Sequence, residues 1–205
     1  YSDLEGYDNS KIIIETTKKI DILTKQLVIQ SKSLDEIEKL AKNKQLLLSA
    51  MPSIQPIKND DLTRLASGFG IRTDPFDKSR KMHSGMDFSA PRGTPVYAAS
   101  NGKVVRADSS SSGYGKHIRI EHGFGYLTLY AHLDSYNVRR GQKVKKGDII
   151  GYVGNTGRSK GFHLHYEVHK DGKRVNPVNY FYSNLSPEEF DEILRISSQE
   201  NQSLD

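Results

Sequence analysis

Apolar residues recur every seventh position near the start of the chain. Ile13, Ile20, Leu27, Leu34, Ala41 and Leu48 form one column, and Leu23 and Ile37 belong to a second. Such spacing gathers both columns on one side of a helix. Thr16, Gln30 and Lys44 interrupt the second column, so the pattern predicts a long amphipathic helix, or two, needing a partner surface more than an ideal two-stranded zipper. Residues 1–50 therefore read as a coiled-coil helical arm. A spacer or dimerisation role is favoured over a regulatory element that lies across an active site or recruits a protein partner.

The period stops in "MPSIQPIKNDD", Met51 to Asp61, where two prolines and the loss of pattern predict a linker. From Leu62 to Tyr182 the texture becomes short β-branched and aromatic runs broken by glycines: "TPVYAAS", "GKVVRAD", "HIRIEH", "YLTLYAHL", "DIIGYVG" and "LHYEVH". Runs of this length predict strands, and they follow one another with no room for helices between them, so a mostly β, antiparallel domain is expected over 62–182. Residues 183–205 form a tail. In its "SPEEFDEIL", Ser186 can cap, Pro187 fits the first helical position and Glu189 completes a capping box. A short C-terminal helix with an apolar stripe of Phe190, Ile193 and Leu194 follows, ahead of a frayed end.

Composition narrows the picture only a little. With 205 residues, 35% hydrophobic and 27% charged, the chain suits one ordinary domain plus something extra. No stretch has the uninterrupted apolar length a bilayer requires. The absence of Cys excludes disulfides, zinc ribbons and thiol catalysis, and is compatible with an oxidising compartment. A net charge of +5 favours polyanionic surroundings such as cell wall, anionic lipid headgroups or nucleic acid, without choosing among them. The chain begins at Tyr1, so a fragment, or a mature form without its leading signal or anchor segment, is expected.

The candidate chemistry lies in two stretches, "HSGMD" at 83–87 and "HLH" at 163–165. Residues two apart in a strand share a face, so His163 and His165 point the same way. Adjacent imidazoles are awkward core filler, whereas a metal binds neutral imidazole directly. Taken alone, "HLH" is balanced evenly between a structural and a functional meaning. His83 and Asp87 add an imidazole and a carboxylate, separated by a glycine that permits an irregular backbone. Together the stretches offer the His and Asp ligand set expected of Zn²⁺ with one position open for water.

Five blocks occur in order: "SGFGIRTDPF", "HSGMDFSAPRGTPVYAASNGKVV", "GYGKHIRIEHGFGYLTLYAHL", "VKKGDIIGYVGNTGRS" and "HLHYEV". On these blocks the segment from Ser67 to Tyr182 resembles the lysostaphin-like zinc metallopeptidases that cut peptidoglycan cross-links. The resemblance implies His83, Asp87 and His165 as zinc ligands, and His132 and His163 as catalytic histidines beside the zinc-activated water. The base and oxyanion-stabilising roles are assigned to those two jointly. Phe162 and Lys160 depart from the family pattern next to His163. Arg72 and Tyr114 lie in blocks that border the family's substrate groove. His117 reads as structural or groove-lining at most, His122 as a hairpin-closing hydrogen bonder and His169 as solvent-facing. The glycines of "GYVGNTGRSKG" lack a phosphate-loop spacing and read as a hairpin loop.

Three functions are weighed. A zinc endopeptidase acting on cell-wall cross-links accounts for all five residues. A non-catalytic wall-binding activator or scaffold of other wall hydrolases shares the fold, but intact ligands argue against it. Nucleic-acid binding rests only on clusters such as "VRRGQKVKK", which read as a solvated face. Within the first function, the arm resembles the N-terminal regions of envelope-anchored members in Gram-negative bacteria. That likeness favours the D-alanyl to diamino-acid cross-link over glycine bridges, and a periplasmic or cell-envelope location with a membrane anchor upstream of Tyr1.

Overall fold

A computed structural model describes residues 10–109, 113–181, 185–197 and 204. The chain divides into two units, residues 1–46 and 47–205. Ser10–Ala50 is one continuous helix, α1, of 41 residues. Ile13, Ile20, Leu23, Leu27, Leu34, Ile37 and Leu48 are all exposed along it. The first nine residues of the expected arm, and the expected frayed end except Leu204, lie outside the described residues.

The second unit is built on strands β1 (Arg64–Ser67), β2 (Gly70–Thr73), β3 (Arg80–His83), β4 (Met86–Ser89), β5 (Pro95–Tyr97), β6 (Gly102–Ser109), β7 (Lys116–Gly123), β8 (Tyr126–Tyr136), β9 (Lys143–Val144), β10 (Ile149–Val153), β11 (His163–Lys170) and β12 (Lys173–Val175). The main sheet runs β1-β4-β11-β8-β7-β6-β9, with β10 joined to β5 and β8, and β12 to β11, while β2 and β3 form a separate hairpin. Every pairing is antiparallel. The mostly β, antiparallel expectation therefore describes the domain.

Alternation along β11 sorts its residues. Leu164, Tyr166 and Val168 are fully buried and belong to the main hydrophobic cluster with Phe88, Tyr130 and Phe181. The Tyr166 ring lies 5.3 Å from Tyr130 and 6.0 Å from Phe181, within the range of favourable aromatic contacts. The other parity, His163, His165 and Glu167, is turned to the opposite face and is buried as well. Burying three polar side chains in one strand is costly unless each is hydrogen-bonded, and this is the strand that carries the site.

The stretch 51–61 is not free of the domain. Ile57 is fully buried in the same cluster, the Ser53 N–H donates to the Ala99 carbonyl, and the Tyr97 N–H donates to the Pro56 carbonyl. Pattern reading misses this because isolated apolar residues between prolines carry no period. At the other end, helix α2 (Pro187–Ser197) starts on the capping box. The Ser186 N–H donates to Glu189 Oε2 at 2.7 Å and the Glu189 N–H to Ser186 Oγ at 3.2 Å. Its inward stripe differs by one residue from expectation. Ile193 is buried and Phe190 and Ile196 pack against the core, while Leu194 is exposed.

Candidate metal centre

Two strands that neighbour each other in the sheet bring the distant sequence stretches together. In the β4–β11 ladder His165 stands directly opposite Asp87, and β3 ends on His83. His83 Nε2 lies 3.1 Å from His165 Nδ1 and 3.2 Å from Asp87 Oδ1, and His165 Nδ1 lies 3.0 Å from the same oxygen. All three residues are buried and could hold one metal ion between them. Gly85, between His83 and Asp87, is needed for space, not for an irregular backbone. Its φ is not in the left-handed region, but a Cβ there would meet the Tyr166 carbonyl oxygen at 2.4 Å and His165 Cε1 at 3.0 Å.

His132 and His163 complete the group. Their rings lie 4.8 Å apart, and His132 is 5.9 Å from the His165 ring. His163 Nε2 is 3.9 Å from Asp87 Oδ1. His132 reaches this place through a backbone φ of 60°, a left-handed conformation that costs a non-glycine residue roughly 1–3 kcal/mol. Its N–H donates to the Tyr114 carbonyl, holding the irregular turn of the strand. The five residues predicted from sequence thus lie in one cluster, all buried.

The acceptors behind the rings fix which nitrogen carries hydrogen. His83 Nδ1 faces the Gly68 carbonyl at 2.6 Å, His132 Nδ1 the Thr156 carbonyl at 2.8 Å and His163 Nδ1 the Gly161 carbonyl at 2.9 Å. A carbonyl oxygen only accepts, so each of these nitrogens is the N–H of its ring. The Nε2 lone pairs of all three then point the other way. For His83 and His165 this sets two ring nitrogens and a carboxylate oxygen facing one another at 3.0–3.2 Å. Such an arrangement repels itself unless a cation lies among its members, and two imidazoles with one carboxylate suit zinc. The donor set fits that ion.

Glu167, which the sequence reading passes over, stands behind His165. Its Oε1 accepts from His165 Nε2 at 3.1 Å, Ser84 Oγ at 2.6 Å and Tyr114 OH at 2.8 Å. Its Oε2 accepts from His169 Nε2 at 2.6 Å and Arg174 Nε at 3.2 Å. Burial by itself raises this carboxyl, but hydrogen bonds from His165 and His169, the charge of His165 and the Ser84 hydroxyl outweigh it and hold it well below the carboxylate range. His169 is accordingly not solvent-facing, since its side chain is only 17% exposed. Burial and the Glu167 charge raise the Tyr114 phenol, keeping it a donor.

A pocket of about 230 Å³ opens over the cluster, lined by Arg72, Asp74, Lys81, Tyr114 and Arg158 together with His83, His132 and His165. Arg72 Nη1 reaches Asp87 Oδ2 at 3.2 Å. One pocket wall is tied to another by Arg158, which bonds both Asp74 oxygens at 2.8 and 2.9 Å and stacks on Phe76 at 4.1 Å. Lys160, one of the departures from the family pattern, adds to this tie by donating to the Pro75 carbonyl and lying over Phe76. Phe162 is exposed. His117 and His122 stand apart from the cluster's bonding. His117 Nδ1 bonds the Gly115 carbonyl, and its ring is 5.8 Å from Tyr114. His122 bonds the Asn101 carbonyl and Thr128 Oγ1.

A family model described as Peptidase family M23 matches residues 81–177. The DD-carboxypeptidase/endopeptidase Mpg of Neisseria meningitidis serogroup B is 45% identical over 117 residues, which is 57% of this chain and 27% of that protein. Among solved structures, the catalytic domain of lysostaphin from Staphylococcus simulans aligns with TM-score 0.50 and 36% identity over 55% of this chain and 87% of that one. A zinc containing peptidase from Vibrio cholerae aligns with TM-score 0.57 and 36% identity over 62% of this chain and 39% of that one. The chain spans about a quarter of the length of the curated relatives it matches first.

Proposed function

The chain belongs to peptidase family M23, and we propose that it is a zinc-dependent endopeptidase that hydrolyses peptide cross-links of bacterial peptidoglycan. The observation that carries this is the convergence of His83 Nε2, His165 Nδ1 and the Asp87 carboxylate beside two further imidazoles, beneath a pocket that His83, His132 and His165 line. His83, Asp87 and His165 would hold the zinc, whose chemistry when bound is that of a Lewis acid, polarising a carbonyl and acidifying a water to a pKa of about 7. Nε2 of His132 or of His163 accepts the proton of the attacking water, and the imidazolium so formed stabilises the developing oxyanion or donates to the leaving amine. The backbone carbonyls of Thr156 and Gly161 keep both rings in the tautomer that step needs.

Support for the D-alanyl to diamino-acid bond, over glycine bridges, comes from the likeness to a relative named as a DD-carboxypeptidase/endopeptidase. A periplasmic or cell-envelope location, with an upstream anchor and an arm that spaces, pairs or regulates the domain, belongs to the same proposal. The non-catalytic activator remains the second reading, and the intact histidines and aspartate weigh against it. The test is mass spectrometry of muropeptides released from sacculi with direct cross-links and from sacculi with glycine bridges. Zinc-loaded protein should release cleaved cross-links from the first, and His132→Ala should not. If neither wall is cut by protein that has bound zinc, the activator reading replaces this one.

A further inference from the structure

The side chain of Glu167 is fully buried, and no proton transfer proposed above uses it. We infer that Glu167 is a positioning residue that locks His165 into the Nε2–H tautomer and so aims the Nδ1 lone pair at the metal. This role rests on His165 being a metal ligand. Oε1 also takes hydrogen bonds from the Ser84 hydroxyl and the Tyr114 phenol, so it stands as an acceptor and the ring nitrogen 3.1 Å away carries hydrogen. His83 obtains the same service from a main-chain carbonyl. His165 lies mid-strand, where its own ladder consumes the neighbouring backbone groups, and only a side chain of the same parity can reach behind the ring.

Glu167 is itself immobilised. Ser84, Tyr114, His169 and Arg174 fill its remaining acceptor positions from β4's approach, the pocket wall and the β11–β12 hairpin. A carboxylate offers about four lone-pair sites, and five donors saturate it. Its orientation is thus fixed before any metal arrives. Outer partners of metal-bound histidines commonly carry about 10–100-fold in affinity, and that is the effect expected here.

The experiment uses the full chain and zinc itself as the probe. Two-bond ¹H–¹⁵N correlations of the imidazoles in wild-type protein, at mildly alkaline pH, should show His165 as the Nε2–H tautomer before zinc is added. Competition with a chromophoric chelator should give Glu167→Gln a zinc affinity about 10–100-fold weaker than wild type. His122→Gln, which alters a buried histidine bonded to Asn101 and Thr128 outside this network, should stay within about twofold, separating positioning from general loosening of the fold. An Nδ1–H tautomer in wild type, or unchanged affinity in Glu167→Gln, overturns the role of Glu167 alone. Wild-type protein that binds no zinc overturns the metal site and this role with it. Should Glu167→Gln fail to fold, the wild-type tautomer still decides.

Discussion

Asp87 and His165 are direct cross-strand partners in the β4–β11 ladder, with Asp87 Oδ1 3.0 Å from His165 Nδ1 although the residues are 78 positions apart. The ladder itself, not a flexible loop, sets this distance. Ligands held by paired strands are pre-organised, so little ordering entropy opposes metal binding.

Replacing Asp87 by Ala should therefore abolish zinc binding without unfolding the sheet. The loss of affinity should exceed the roughly 10–100-fold that an outer partner carries, as read by chelator competition. Far-ultraviolet circular dichroism should be unchanged. Chelation of the wild type should lower its melting temperature, and added zinc should restore it, because a ligand bound only by the folded state stabilises that state.

His132→Ala and His163→Ala should each lower kcat by about 10²–10⁴-fold while zinc affinity stays near wild type. The double variant should lose much less than the product of the two single losses, since residues acting as a unit are not additive. Steady-state cleavage of a purified cross-linked muropeptide dimer measures this. Loss of zinc in either single variant would assign that histidine to the metal instead.

Gly85→Ala should destabilise the domain by about 1–3 kcal/mol, the usual range for overpacking. The new methyl would press on the Tyr166 carbonyl, a ladder atom that cannot rotate away, and on the Glu167 and His165 side chains. Urea denaturation should show a lower midpoint with an unchanged slope.

Stability should depend on pH through His122, whose pKa burial lowers from 6.5 to about 4. The folded state keeps this ring neutral while the unfolded chain protonates it below about 6.5. The unfolded state then binds more protons, so the contribution of His122 is fully present above 6.5 and is lost as pH falls toward 4. Urea midpoints measured across that window should fall by the equivalent of about 3 kcal/mol in all. The slope should flatten by close to one proton in His122→Gln.

The strands of the domain and the parity of "HLH" are legible in the sequence because alternation is a local property. Convergence of that stretch with "HSGMD" is legible only through resemblance, since no local rule says that β11 inserts beside β4. Glu167 is within reach of the same alternation that pairs His163 with His165. It is passed over because a lone glutamate in a strand usually faces water, and only the fold reveals the donors around it. The space-limited role of Gly85 and the burial of Ile57 depend on neighbours more than 25 residues away, which no pattern along the chain can display.

Strand β11 lies between β4 and β8 in the sheet although it is almost the last strand made. During synthesis the growing chain therefore carries two facing, unpaired edges that wait for residues 163–170. Until those arrive, His83 and Asp87 lack His165, and His132 lacks His163. On the proposed function, hydrolysis would not precede closure of the sheet, because the step that seals the sheet is the same step that assembles the site. The delay leaves its mark on kinetics: contacts of such long separation form slowly. A chain truncated before His163 would expose both edges to other chains, a route to aggregates and not to a rogue enzyme.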